Sequence, residues 1–210
     1  MADKAEASFA KDYRDARKAF IAACEHAQGD SIARVHPTVR GPDGKPLFID
    51  SAAFGSREAA KALLVIAGVD GEAGLSGSRI LTALLDSRAM PLPGTRLVLV
   101  HALNPFGFAW RRRENEDGAS LDDPAAAASW SAAMLRAIAT EDLARTRKLR
   151  ILEIDKGRQG KVTDARDCGA ARILADFKPG LDLAAARLTL PSADAPVLAR
   201  RVVTRALATL

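Results

Sequence analysis

Only three imidazoles, on His26, His36 and His101, occur among the 210 residues, and none has a ligand-like neighbour. A hydrolytic zinc site is usually built from two imidazoles and a carboxylate, with one position left for water. No His-x-x-Glu, His-x-x-His or His-Glu-x-x-His spacing is present. Nucleophilic chemistry has equally little support. Ser76 and Ser78 follow a glycine-rich loop, but no Gly-x-Ser-x-Gly elbow surrounds them, and Gly74-Leu75-Ser76-Gly77 reads as a helix entry. Gly68, Gly71, Gly74 and Gly77 match neither the Walker nor the Rossmann spacing that cradles phosphates. Arg111-Arg112-Arg113 is the densest basic feature, and it can pair with Glu114, Glu116 and Asp117 on the same loop. Cys24 and Cys168 lie far apart, outside any Cys-x-x-Cys motif, and read as reduced structural thiols.

Any such groups need a scaffold, and the chain is long enough for one domain over residues 1–210 with a core that needs no disulfide. Hydrophobic residues make up 48% and charged residues 27%, a balance typical of globular domains. The net charge of +5 is dispersed and accompanied by no nucleic-acid motif, which disfavours nucleic acid as a partner. Met1 to Lys18 lacks an apolar signal core, and no apolar run nears the roughly 20 residues of a membrane span. The expectation is a cytoplasmic protein without a membrane.

Hydrophobic periodicity predicts a helix over Ser8–Ala27, then a hairpin of Ser31–His36 and Leu47–Phe54 around the turn Arg40–Pro46. Ala62–Ala67, Arg96–His101 and Leu149–Ile154 are continuous apolar runs, as expected of parallel strands covered on both faces. Helices are predicted over Ser76–Arg88, over 124–147 and over Ala195–Leu210. Strand character is assigned to Arg172–Phe177 and Arg187–Leu190. In such sheets ligands sit in loops beyond the carboxyl ends of the strands, here Gly68–Gly74 and His101–Asp123.

Four stretches carry a family likeness. They are Asp12-Tyr13-Arg14-Asp15-Ala16-Arg17, Arg40-Gly41-Pro42-Asp43-Gly44, the glycine-rich Gly68–Ser78, and the string Val100-His101-Ala102-Leu103-Asn104-Pro105-Phe106-Gly107-Phe108-Ala109-Trp110. Arg112-Arg113 and Asn115-Glu116-Asp117 follow the last of these. Residues 9–117 thereby resemble the DUF2817 family, a bacterial branch of the zinc carboxypeptidase-like (M14-type) hydrolases. The resemblance implies a three-layer α/β sandwich with a mixed, largely parallel central sheet, truncated relative to longer relatives.

It also implies a degenerate site. Where the family places its first metal-binding histidine and glutamate this sequence has Asp70 and Ala73, with Glu72 one residue early. Glu153-Ile154-Asp155-Lys156-Gly157 aligns with the segment of the second histidine and puts Asp155 there. Arg112 or Arg113 matches the arginine that polarises a substrate carbonyl. Asp122 and Asp123 stand where an Asn-Arg pair binds the substrate carboxylate, adding negative charge where an anion should dock. The expectation is therefore a catalytically inactive binding or interaction module without zinc. The alternatives are a divergent metal-dependent hydrolase of a peptide or amide bond, and a structural subunit of a hetero-complex. Asp70, Glu72 and Asp155 could together hold a hard cation, or serve as solvated loop residues and helix caps. A shortened chain that leaves a sheet edge open would favour a protein partner or self-association.

Overall fold

The computed structural model describes residues 11–71, 73–86, 93–156, 161–190 and 195–208. Seven strands form one sheet: β1 (Asp30–Arg40), β2 (Pro46–Phe54), β3 (Lys61–Ala67), β4 (Thr95–His101), β5 (Lys148–Lys156), β6 (Lys161–Asp164) and β7 (Asp182–Leu190). Their order is β1-β2-β4-β3-β5-β7-β6. The four middle strands are parallel, and antiparallel strands flank them on both sides. The sheet is thus mixed and largely parallel, and the three predicted central strands lie side by side in it.

Alternation along the apolar runs builds two cores. On β3, Leu63, Val65 and Ala67 face α1 (Tyr13–His26), α2 (Gly74–Asp86) and α6 (Ala195–Ala208). Ala62, Leu64 and Ile66 face the other way, toward α4 (Trp130–Asp142) and α5 (Gly169–Phe177). Every residue of β3 except Lys61 is buried, which is why the sequence shows no polar alternation there. The result is a three-layer sandwich. Among the described residues no helix is long and apolar enough to cross a membrane.

Helix α1 begins at Asp12, whose side chain accepts a hydrogen bond from the Asp15 amide. Its buried stripe of Tyr13, Ala16, Phe20, Ala23 and Cys24 follows the predicted spacing. Polar ties then fix it to the hairpin. The Tyr13 hydroxyl donates to the Phe48 carbonyl at 2.9 Å and accepts from the Phe48 amide at 2.8 Å. Arg17 forks onto Asp50 at 2.7 and 2.8 Å. Strand β1 is a long edge strand whose register with β2 breaks between Val35 and Arg40.

Three expectations are corrected. Arg172–Phe177 is not a strand but the body of α5, whose buried face is Ala170, Ala171, Ile173 and Leu174 on the i, i+3, i+4 pattern. The predicted helix over 124–147 divides into a 3₁₀ turn, Pro124–Ala128, and α4, because Ser129 is extended and caps the new helix through the Ala132 amide. The loop after β4 contains a short helix, α3 (Pro105–Trp110), started by Asn104.

Candidate functional site at the ends of the central strands

Strand β3 has β4 on one side and β5 on the other. The chain leaving β3 enters α2 on one face of the sheet, whereas the chain leaving β5 passes through β6 to α5 on the other. Adjacent parallel strands whose exits diverge in this way leave a crevice beyond their carboxyl ends. It opens here past the pair Ala67 and Ile154.

The conspicuous string after β4 braces the rim. The Leu103 and Asn104 amides donate to the Ala67 and Gly68 carbonyls at 3.2 and 2.8 Å. The Asn104 side chain donates to the Val69 and Arg113 carbonyls and accepts from the Gly107 amide. Gly68 takes a positive φ of 69°, and Gly71 donates to the Arg112 carbonyl at 3.0 Å. A Cβ at Gly71 would lie 1.9 Å from the Gly107 carbonyl oxygen and 2.3 Å from that of Arg112. Since both obstacles are backbone, Gly71→Ala is expected to cost about 1–3 kcal/mol. Urea unfolding measures this, and an unchanged midpoint would contradict the packing.

Inside the crevice, Asp70, Arg113, Ser120, Asp122, Glu153 and Arg187 surround a cavity of about 110 Å³. Glu153 and Arg187 are register partners across β5 and β7. Arg187 donates to Glu153 Oε2 from Nη2 at 2.8 Å and Nε at 3.2 Å, and to Asp122 Oδ2 at 3.0 Å. Burial opposes the Arg187 charge, but the Glu153 and Asp122 carboxylates hold its guanidinium above the ordinary arginine range. Asp122 Oδ1 also accepts the Gly169 amide, the first of α5, at 3.1 Å. Arg113 stands 3.8 Å from Asp122 and is largely exposed. A wider hollow of about 640 Å³ adjoins, sharing Asp122 and Arg187 and bounded by Thr163, Asp164, Arg166 and Cys168. Burial, followed by the Glu153 charge, pushes the Cys168 thiol up to about 12, so it stays protonated.

The predicted site residues divide accordingly. Asp70, Arg113 and Asp122 meet at the cavity. Ala73 is buried at the entry of α2 and does not line it. Arg112 is exposed and contributes its backbone, accepting from Gly71 and donating to Gly107. Asp123 caps the 3₁₀ turn through the Ala125 amide. Asp122 is engaged by Arg187 and by the first amide of α5, and Asp123 by its capping bond. The Asp155 backbone pairs with Thr189 one residue before the end of β5, whereas its side chain and all of Glu72 lie outside the described residues. Among the described residues no group of three or more His, Cys, Asp or Glu is placed to hold a metal ion. Glu153 and Arg187, which the sequence reading did not assign to the site, are its centre.

The histidines lie elsewhere. His26 is exposed on α1. His36 is buried, with Nε2 3.2 Å from Glu116 and Nδ1 accepting the Thr38 and Val39 amides. His101 is fully buried, its Nε2 3.0 Å from Ser78 Oγ and its Nδ1 3.9 Å from Asp50. This trio has the residue types of a hydrolytic triad. It sits beneath α1 with every member under 5% exposed, so no substrate reaches the serine.

Against known proteins, the profile of a family described as a protein of unknown function, DUF2817, matches residues 9–122. No curated protein matches the chain. Among solved structures, a metallopeptidase candidate from Shewanella amazonensis aligns with a TM-score of 0.63 at 16% identity, over 94% of this chain and 92% of that one. A metallo-carboxypeptidase from Pseudomonas aeruginosa aligns at 0.61 and 14%, over 92% and 67% of the two chains. One from Burkholderia cenocepacia gives 0.61 and 15%, over 91% and 67%. At these identities the likeness establishes a shared carboxypeptidase-like fold.

Proposed function

Because the chain belongs to the DUF2817 family and carries the carboxypeptidase-like fold, we propose that it is a catalytically inactive binding module that recognises its ligand at the β3–β5 crevice. The observation that carries this reading is the composition of the cavity wall. Three carboxylates, on Asp70, Asp122 and Glu153, share the space with the guanidiniums of Arg113 and Arg187, and no imidazole is among them. Such a donor set does not fit the zinc of a hydrolase, which takes nitrogen ligands with at most a carboxylate or two. Arg187 already occupies both Glu153 Oε2 and Asp122, and a dication at those oxygens would have to displace it. Among the described residues, the Cys168 thiol beside the crevice is held protonated, and Ser78 is sealed under α1.

Metal analysis of protein purified without added metal, combined with a peptidase and amidase panel with and without chelator, tests this. The expected result is metal well below one equivalent and no chelator-sensitive turnover. Stoichiometric zinc, with turnover lost in Asp70→Ala, would overturn the proposal in favour of a divergent metal-dependent hydrolase.

A further inference from the structure

The crevice sets three carboxylates against two guanidiniums, and the other end of the same strands reverses that balance. There, where the chain enters β3 and β5, lies a hollow of about 420 Å³ whose lining includes Glu58, Ala60, Arg145, Thr146, Arg147 and Lys178. Three cations thus face the single carboxylate of Glu58. Lys61 and Lys148, which directly follow Ala60 and Arg147, open β3 and β5 and are register partners. Cations dispersed along the sequence are brought together here by the strand order.

Backbone bonds hold the wall of this hollow in place. The Arg147 and Lys148 amides both donate to the Ala60 carbonyl, at 2.8 and 3.0 Å, and the Arg147 carbonyl accepts the Asp182 amide at 2.9 Å. Lys178 Nζ donates to the Leu143, Ala144 and Thr146 carbonyls at 2.8, 2.9 and 2.7 Å. Those bonds use all three of its donors, and among the described residues no carboxylate pairs with it. Burial holds this ammonium below the ordinary lysine range, so a negative charge placed beside it is favoured. Arg147 is exposed, and among the described residues its guanidinium pairs with no carboxylate. Arg145 meets Glu58 at 3.4 Å with the two side chains 71% and 77% exposed, a pair that solvent weakens and that opens readily.

We infer that this hollow is an anion site that takes a phosphate group. The Arg147 guanidinium forks onto the phosphate oxygens, Arg145 joins it on leaving Glu58, and Lys178 supplies a fixed positive charge in the wall behind them. An excess of more than one positive charge favours a group carrying nearly two negative charges over a single carboxylate. The volume has room for the phosphate and for part of what carries it. A small phosphate ester and the phosphate chain of a polymer offer the same chemistry. The site stands roughly 20 Å along β3 from the crevice, so it does not depend on what the crevice binds.

Calorimetric titration of the full chain at neutral pH and low salt with inorganic phosphate, phosphoserine, serine and an oligothymidylate tests the inference. Phosphate and phosphoserine are expected to bind and serine is not. An oligothymidylate that binds more tightly than phosphoserine assigns the polymer as the source, and one that binds equally or less tightly assigns the small ester. Arg147→Gln should weaken phosphoserine binding about tenfold, the loss of a charge-assisted hydrogen-bonding partner. Arg145→Gln, whose side chain is mostly exposed, should weaken it severalfold and keep the fold, which urea unfolding checks. Arg201→Gln, exposed on α6, removes the same charge elsewhere and should leave binding unchanged. Three results would each overturn the inference. They are no phosphate or phosphoserine binding by folded wild type, serine binding as well as phosphoserine, and equal affinities in Arg147→Gln and Arg201→Gln.

Discussion

Asp142→Ala is expected to destabilise the protein by about 3–5 kcal/mol, the range found when one partner of a buried ion pair is removed. Arg96, on β4, is 1% exposed, and its Nη2 donates to Asp142 at the end of α4, itself 3% exposed. Its Nη1 donates to the Gly55 carbonyl at 2.7 Å, and its Nε has no partner. Removing Asp142 strands a guanidinium in the core, with one neutral carbonyl left to answer it. For a domain of this length the loss corresponds to a fall in melting temperature of roughly 10 °C. Urea unfolding gives the free energy directly. The double variant Arg96→Met with Asp142→Leu separates the pair from its packing, and it should recover most of the loss because both charges leave together. A single variant within 1 kcal/mol of wild type would show that water reaches Arg96.

Acidification is expected to unfold the protein through His101. Burial pushes this imidazole down to about 3, with the nearby Arg17 charge acting in the same direction. In the unfolded chain it titrates near 6.5. Above 6.5 the group is neutral in both states and its contribution is fully present. Below that the unfolded chain binds a proton that the native site refuses, so stability falls as pH drops from 6.5 toward about 3. At about 1.4 kcal/mol per pH unit the full loss is on the order of 4–5 kcal/mol. Asp50 works against this. Burial raises its carboxyl, despite the Arg17 fork, so the native state takes up that proton more readily and offsets part of the loss. Denaturation curves at a series of pH values, for wild type and His101→Gln, isolate the histidine. The wild-type acid limb should be the steeper one, and parallel limbs would remove His101 as the cause.

Strands β3, β4 and β5 were legible in the sequence because a strand buried on both faces leaves an uninterrupted apolar run, as Leu63 to Ala67 does. Helix α5 was not, because its buried face is half alanine, and Ile173-Leu174 fits either a strand or a helix when Ala170 and Ala171 are counted as neutral. The crevice itself was legible from topology, since its rim loops follow the predicted strands. Its charged centre was not. Glu153 lies inside an apolar run, its partner Arg187 is 34 positions away, and nothing joins them until β5 pairs with β7. Local spacing cannot report a contact that parallel pairing creates. The buried approach of Ser78 to His101, 23 positions apart on α2 and β4, was hidden for the same reason.

Strand β1 shows how an outer strand of a sheet can be shaped against a neighbour's strand. An outer strand offers a row of unsatisfied amides and carbonyls that invites a neighbour's strand, and β1 is eleven residues long. Three features work against that template. Pro37 lacks the amide proton that an added strand would need at its position. The register break between Val35 and Arg40 interrupts any ladder that tries to run the length of the strand. Arg40, exposed at the end of the strand, places a charge where a second copy of the same strand would have to lie. Ile32 and Val35 are exposed, but on a strand shaped against adding another. A long outer strand is thereby made hard to extend.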